Sequence, residues 1–377
     1  MQKKLIAMAV AGLVSGAAFA QSNVTIYGVA DLTFDNVKSS GAAVSGNNLP
    51  QRNRVSGNSS YIGFKGAETL GNGLTAVFQF ENGISPDSTG GTWANRDSFV
   101  GLAGGFGTVA LGTLTGPTRG FGAAMDPNAG ATGISVNAGL LGKLGGGAGA
   151  SIFDTRWTNT IAYISPTFGG MSITAAYVAN ENKSRDGLSG VPTTVAYNGA
   201  VPTVTGGQLN TWGYDLGFKY DQGPIMAAIT QNQVRVGDTA GIKLTDTRGG
   251  AKFKMDAFSI GLMLDRVKLE AAGSTAKRNA WFVPASFTMG QIAIVGQYGR
   301  AGAVTDVNDS KAKMYSIGAE YSLSKRTMIK ANYAQISNDA NANYDFGVNS
   351  VGANTAAAGP AAGADPKGFQ VGIRHTF

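Results

Sequence analysis

The sequence has no cysteine and one histidine, His375, among its 377 residues. The missing thiols exclude a disulfide framework and thiolate chemistry. One imidazole and no thiol leave no zinc-binding motif, and a serine–histidine–acid triad would need His375 as its base. Carboxylates are present, but no pair of them stands in a recognisable catalytic motif. No catalytic residue, metal or cofactor is therefore expected, and the chain does not read as an enzyme. It also lacks, beyond its first residues, any run of the roughly 18–20 apolar residues that a membrane-crossing helix requires. What is abundant is glycine, 56 residues, about twice the ~7% of average usage. A long exported chain without disulfides must be held by other means. A sheet closed on itself by main-chain hydrogen bonds, with no free edge, is one.

Residues 1–20 have the pattern of a signal peptide. Lys3 and Lys4 give a positive start, Leu5 to Val14 a short apolar core, and Ala18-Phe19-Ala20 a small-x-small cleavage site. The mature chain is then 21–377, exported through the periplasm. Without Lys3 and Lys4 it carries 28 basic and 23 acidic side chains, a net charge of +5. That excess is compatible with anionic solutes and equally with ordinary solubility.

The mature chain alternates polar and apolar residues at period two. Val24, Ile26, Gly28, Ala30, Leu32 and Phe34 share one face, while Thr25, Tyr27, Val29, Asp31 and Thr33 share the other. Ser59–Ala67 and Leu74–Glu81 form a hairpin around Gly71-Asn72-Gly73. Further strand pairs are expected at 96–103 and 106–111, 158–165 and 171–178, and 212–220 and 225–233. Others are expected at 258–264 and 267–273 around Asp265-Arg266, 281–288 and 292–298, and 315–323 and 328–336. With the closing strand 368–377 the count is sixteen.

The connections sort by length. Short turns alternate with long segments at 36–58, 115–155, 182–210, 237–255 and 338–367. Short turns at one end and long loops at the other characterise transmembrane barrels, with the short turns periplasmic and the long loops extracellular. Trp157, Trp212 and Trp281 are each expected to begin a strand at the long-loop end. Tyr163, Tyr220, Phe287, Tyr321 and Phe377 lie outward near the other end, so two aromatic girdles are expected. The fold class is thus all-β, a 16-stranded antiparallel transmembrane β-barrel.

Particular motifs resemble Gram-negative porins of the neisserial and β-proteobacterial type. The last strand, Gly372-Ile-Arg-His-Thr-Phe377, has that family's closing form. Ser22-Asn-Val-Thr-Ile-Tyr-Gly28 is similar to its opening strand. Gly63-Phe-Lys-Gly66, Leu70-Gly-Asn-Gly-Leu74, Phe99-Val-Gly-Leu102 and Phe106-Gly-Thr-Val109 are similar to its second and third hairpins, and Asn159 to Phe168 to the strand after its third loop. From 180 to 365 the match is one of pattern. The chain departs from the family at Thr113 and Tyr61, where the family usually carries pore-facing arginines. The resemblance implies a homotrimer in the cell outer membrane, surrounded by lipid. It implies Phe377 as part of the signal read by the outer-membrane assembly machinery. It also implies a third loop, about Thr115–Thr155, folded into the lumen as a constriction.

By alternation Lys65, Lys219, Lys268, Lys330 and Arg374 face inward, as do Asp31, Glu81, Asp215, Glu270 and Glu320. Charges on opposed walls of a narrow lumen set ion selectivity. The expected pore-lining set is Lys65, Glu81, Lys219, Lys330 and Arg374 from the wall, Arg54, Arg96 and Arg156 near the mouth or loop base, and Arg119 and Asp126 on the third loop. Arg96 occupies the Asn-Arg position that precedes Phe-Val-Gly-Leu in the family. The expected function is passive diffusion of ions and small hydrophilic solutes with a slight anion preference. The alternative is a substrate-specific outer-membrane channel for an organic acid or sugar. A purely structural barrel anchor would be about half this length. No nucleic-acid partner is expected.

Overall fold

The computed structural model describes residues 24–88, 93–181, 211–236, 241–271, 273–353, 355 and 359–377. The expected signal peptide and the 182–210 segment lie outside the described residues. Sixteen antiparallel strands close into a barrel. β1 is Thr25–Ser40. β2 has two segments, Leu49–Gly57 and Tyr61–Gly71. β3 is Leu74–Gly83, β4 Ser98–Gly104, β5 Gly107–Leu114, β6 Trp157–Ile164, β7 Met171–Val178 and β8 Thr211–Gln222. β9 is Ile225–Val236, β10 Ile242–Met255, β11 Phe258–Ala271, β12 Ser274–Met289, β13 Ile292–Ala301, β14 Ala312–Ser322, β15 Thr327–Asn338 and β16 Asp365–Thr376. β1 pairs with β16 from Val29↔Thr376 to Ser40↔Asp365, which removes the last free edge. Both segments of β2 pair with β1, the break falling at Asn58–Ser60, where Ser59 has φ +57°.

Alternation directs the side chains as their chemistry requires. Outward Ile317 is 59% exposed and inward Ser316 only 6%. Ile26, Phe34, Phe80, Val100, Ile229, Leu264 and Phe287 are likewise exposed outward. An apolar outer face of this extent is stable in hydrocarbon and not in water.

Several expected boundaries differ, and the differences share a cause. Ile242–Met255, expected within a loop, is strand β10, and Phe258–Ala271 is one strand rather than a hairpin around Asp265-Arg266. Toward the long-loop end the strands rise above the apolar belt and their polarity inverts. Ile242 and Leu244 point inward and are buried, whereas Lys243 and Thr245 point outward. An inverted pattern hides a strand from a search for apolar alternation. The two errors, one strand missed and one divided, cancelled in the count of sixteen. The inversion also corrects Lys268 and Glu270. Both lie outward, where Glu270 pairs with Lys243 and Lys268 at 2.5 and 2.8 Å. β1 and β2 extend through most of the expected 36–58 loop. Trp281 lies in the middle of β12 rather than at its start. A bulge at Asn159, φ +52°, turns Trp157 toward an inner apolar cluster with Leu144 and Phe153, while Trp212 stays outward against Arg235.

The barrel is not hollow across its whole width. One helix, α1 (Pro117–Met125), follows β5, and Pro117 in its first turn has its φ already set for a helix. Inward Asp215 on β8 accepts from the backbone N–H and the hydroxyl of Thr118, the latter at 2.6 Å, capping that helix from the wall. Phe121, Met125, Ile134, Leu140 and Leu141 of the segment pack on inward Met263, Phe282, Met314 and Ile336. Burying each such side chain contributes roughly 1.5–3 kcal/mol. Residues 339–364 join the same cluster through Tyr344, Phe346 and Val351, and Asn343-Tyr344 pairs in parallel with Gly146-Gly147. The open passage is thereby displaced toward the wall made by β1–β6.

Candidate functional site: the lumen and its basic wall

The 115–156 segment is fixed to the barrel by buried polar contacts at successive points. Arg248, inward on β10 and 0% exposed, grips Asp154 bidentately at 2.6 and 2.7 Å. It also pairs with Asp246 at 2.7 Å and Asp265 at 3.1 Å. Arg278 on β12 pairs with Asp265 and donates to the carbonyls of Leu140 and Lys143. Glu320 accepts from Ala129 N at 2.8 Å, and the Gln370 side chain accepts from Ile134 N at 3.1 Å. A planar guanidinium satisfying several acceptors at once fixes geometry as well as charge. Arg248, Arg278, Asp246 and Asp265 were absent from the expected site. Their only sequence signal is inward phase on stretches whose residue pattern resembles loop and turn.

Asp126, expected to line the pore, instead lies inside the segment, 7% exposed. Its carboxylate accepts from the backbone N–H and side chain of Asn128 and from Asn137 N at 2.7 Å. Burial raises its pKa above the usual carboxylate range, opposed by these hydrogen bonds. Enclosure comes from the loop's own turn, which alternation along strands cannot foresee. Lys143, also enclosed, donates to the carbonyls of Gly147 and Asp345, and burial pulls its ammonium pKa down.

The remaining bases gather on the other side. Arg96 pairs with Glu81 at 3.2 Å, and its guanidinium lies 4.3 Å from the ring centre of Tyr61. Tyr61 meets Tyr27 edge to face, and Lys65 stands 4.8 Å over the Tyr27 ring. Tyr27 donates to Glu81 at 2.9 Å. Arg156 pairs with Asp97 at 2.6 Å. Arg119 donates to the carbonyl of Asp154 and has no ion pair among the described residues. Burial, and then the neighbouring Arg156, hold its pKa below that of a free guanidinium, though it stays cationic at neutral pH. Arg119 and Arg156 line a cavity of about 440 Å³ with Thr113, Asn137 and Val348. The two positions without the expected family arginines, Tyr61 and Thr113, therefore sit beside Arg96 and beside Arg119 and Arg156 respectively.

Other expected residues are inward but engaged. Lys330 is 1% exposed and shares Asp31 with Arg374, at 2.7 and 3.0 Å. Arg374 lies against Gly130, where φ is +73° and an added Cβ would come 2.7 Å from the guanidinium. Arg54 pairs with Asp35 at 3.1 Å and donates to the carbonyls of Asn349 and Ser350, tying the 339–364 segment to the wall. Lys219 stands near the short-turn end, half exposed, paired with Asp221 at 3.2 Å. The lumen thus brings together Lys65, Glu81, Arg96, Arg119 and Arg156, while Arg54, Lys219, Lys330 and Asp126 lie apart from them. Among the described residues no cluster of three or more metal-ligating side chains occurs.

Comparison with known proteins places these features in context. A family model described as Gram-negative porin matches residues 7–341. Outer membrane porin protein 32 of Delftia acidovorans is 32% identical over 386 residues, covering all of both chains. Major outer membrane protein P.IB of Neisseria meningitidis serogroup A is 27% identical over 349 residues, covering 89% of this chain and 94% of that one. Among solved structures, the anion-selective porin from Comamonas acidovorans superposes with a TM-score of 0.75 at 26% identity, covering 95% of this chain and 100% of that one. An outer-membrane protein of Vibrio cholerae shares the fold with a TM-score of 0.64 at 13% identity, covering 94% and 98% of the respective chains.

Proposed function

The chain belongs to the Gram-negative porin family, and from that premise we propose an anion preference and name the residues that create it. It is an outer-membrane porin, a water-filled β-barrel channel for passive diffusion of ions and small hydrophilic solutes. The observation that carries the preference is the pairing of charges along the open wall. Glu81 and Asp97 each offset one arginine, Arg96 and Arg156. Arg119 and Lys65 have no carboxylate partner among the described residues, whereas Lys330 and Arg374, apart from this cluster, are offset by Asp31 and Glu320. The wall is left net positive, and a low-dielectric rim concentrates anions over cations there. The similar Comamonas protein is described as anion-selective, which supports the same sign here. The constriction comprises Arg96, Arg119 and Arg156, with Glu81 and Lys65 below them.

Three further assignments belong to this proposal. Residues 1–20 are a signal peptide removed after Ala20. The mature chain assembles as a homotrimer. Outward Ala30 and Gly66 suit close packing, whereas the space at outward Gly28 is filled by the chain's own Phe377 ring. The strand ending in Phe377 is the segment the assembly machinery engages. Planar-bilayer recording of the purified protein across a salt gradient tests the channel and its preference together. Large ohmic steps in threes, with a reversal potential of anionic sign, are expected. A cationic sign refutes the charge assignment.

One observation favours a second reading, a channel selective for an organic acid. The Tyr27–Tyr61 pair with Lys65 and Arg96 on its faces offers stacking and charge to a carboxylate-bearing solute. Small conductance steps blocked by benzoate but not by acetate would establish it.

A further inference from the structure

The outer surface of the barrel also carries an arrangement that channel function leaves unexplained. On adjacent strands β13 and β14, Arg300 and Lys313 are directly opposed, both outward and both exposed. Like charges facing each other across a ladder destabilise a sheet unless an anion lies between them. Neither side chain has a hydrogen-bond or ion-pair partner among the described residues. With Lys311 they line a recess of about 390 Å³ that also includes Ser337 and Asp339. The acids nearby are Asp339, which accepts from the backbone N–H of Lys311 at 3.3 Å, and Asp365, which attracts Lys313. Three bases against one lining carboxylate leave the recess cationic. On β11 and β12 a similar pair, Lys268 facing Lys277, already has a carboxylate of the chain, Glu270, on Lys268.

Position along the strand identifies what belongs there. One outward step below the opposed bases, Tyr298 faces Tyr315, each about two-fifths exposed. Below the tyrosines come exposed Ile317, Ile294 and Ile292. The order is cation, aromatic, aliphatic, descending from the long-loop end, which in outer-membrane barrels faces outside the cell. Aromatic rings mark the level where acyl chains end and headgroups begin, and bases just above them meet lipid phosphates.

We propose that the Arg300–Lys311–Lys313 recess binds the phosphate of an outer-leaflet glycolipid, with its acyl chains lying along Tyr298, Tyr315 and the isoleucines beneath. Guanidinium and ammonium groups donate charge-assisted hydrogen bonds to phosphate, and the repulsion between the opposed bases is relieved. The recess has room for a phosphorylated sugar and not merely for an ion.

Native mass spectrometry of the detergent-solubilised protein, titrated with diphosphorylated lipid A, tests this. Wild type is expected to retain the lipid, and to lose it when the same lipid is dephosphorylated. The double variant Arg300→Gln/Lys313→Gln should bind roughly 30-fold more weakly, from about one lipid-facing charge interaction lost per base. Both side chains are exposed, so heat-modifiable gel mobility should verify that the variant barrel is folded. Millimolar inorganic phosphate should not displace the lipid. Undiminished binding by the folded variant overturns the proposal. Displacement by inorganic phosphate alone also overturns it, making the recess a free-anion site. So does loss of the trimeric mass with lipid retention unchanged, which would put a second copy of the chain at this surface.

Discussion

Arg248→Ala should loosen the segment that narrows the channel while leaving the barrel itself closed. Arg248 is fully buried and touches three carboxylates, Asp154 on the loop and Asp246 and Asp265 on the wall. Removing one partner from a buried ionic cluster costs about 3–5 kcal/mol, because the others remain charged or must take up protons without compensation. Only Asp154 belongs to the 115–156 segment, so much of that cost falls on the contact between loop and wall. A loss of that size raises the population of the detached loop by roughly a hundred- to a few thousand-fold. Arg278, Asp215, Glu320 and Gln370 still hold the segment at other places, so detachment should be intermittent. In single-channel recording this is expected to appear as fluctuation among current levels that wild type lacks. The interstrand pairing is not what changes: Arg248 lies on β10, away from the β1–β16 ladder that closes the barrel, and gel mobility of the unheated protein should stay that of a folded barrel. Arg248→Lys should give an intermediate result, since an ammonium cannot hold a carboxylate bidentately. Quiet wild-type current from a folded Arg248→Ala protein would refute the assignment of this cluster as the anchor.

Other outcomes follow from the same contacts. Arg119→Gln should move the reversal potential toward cations, a lumenal charge at about 4 Å being worth roughly 1 kcal/mol in water. The change should be larger at 0.1 M than at 1 M salt, where the screening length falls to about 3 Å. The double variant Arg96→Gln/Glu81→Gln, which conserves net charge, should leave the reversal potential near that of wild type. Asp345 has its pKa raised to about 6 by burial. The native state therefore holds that proton more tightly than the unfolded state, and stability is lost as pH rises from the ordinary carboxylate range through about 6. Thermal midpoints of wild type should fall relative to Asp345→Asn over that window and run parallel above it. N-terminal sequencing of protein from the outer membrane should begin at Gln21, and any later start would move the proposed cleavage site.

The sequence by itself determined the architecture wherever a strand crosses hydrocarbon. Lipid outside and water inside impose opposite chemistry on successive residues, so the phase of Val24–Phe34 or Ile292–Tyr298 was legible directly. The same logic placed Lys65, Glu81, Lys330 and Arg374 inward. It failed for Ile242–Met255 and for Lys268 and Glu270, because above the belt both sides of the wall meet water or loops and alternation no longer reports direction. Only the tertiary structure decided what fills the lumen. Whether Asp126 meets solvent or its own loop, and whether Arg248 guards the pore or pins the loop, depends on contacts between residues far apart in the chain. Asp154 and Arg248 are 94 positions apart, and no local pattern links them. The apolar inner wall at Met263, Phe282 and Met314 exists because the 115–156 and 339–364 segments cover it. Its inward hydrophobicity has meaning only once those segments are folded against it, and that packing sets on which side of the barrel the passage lies.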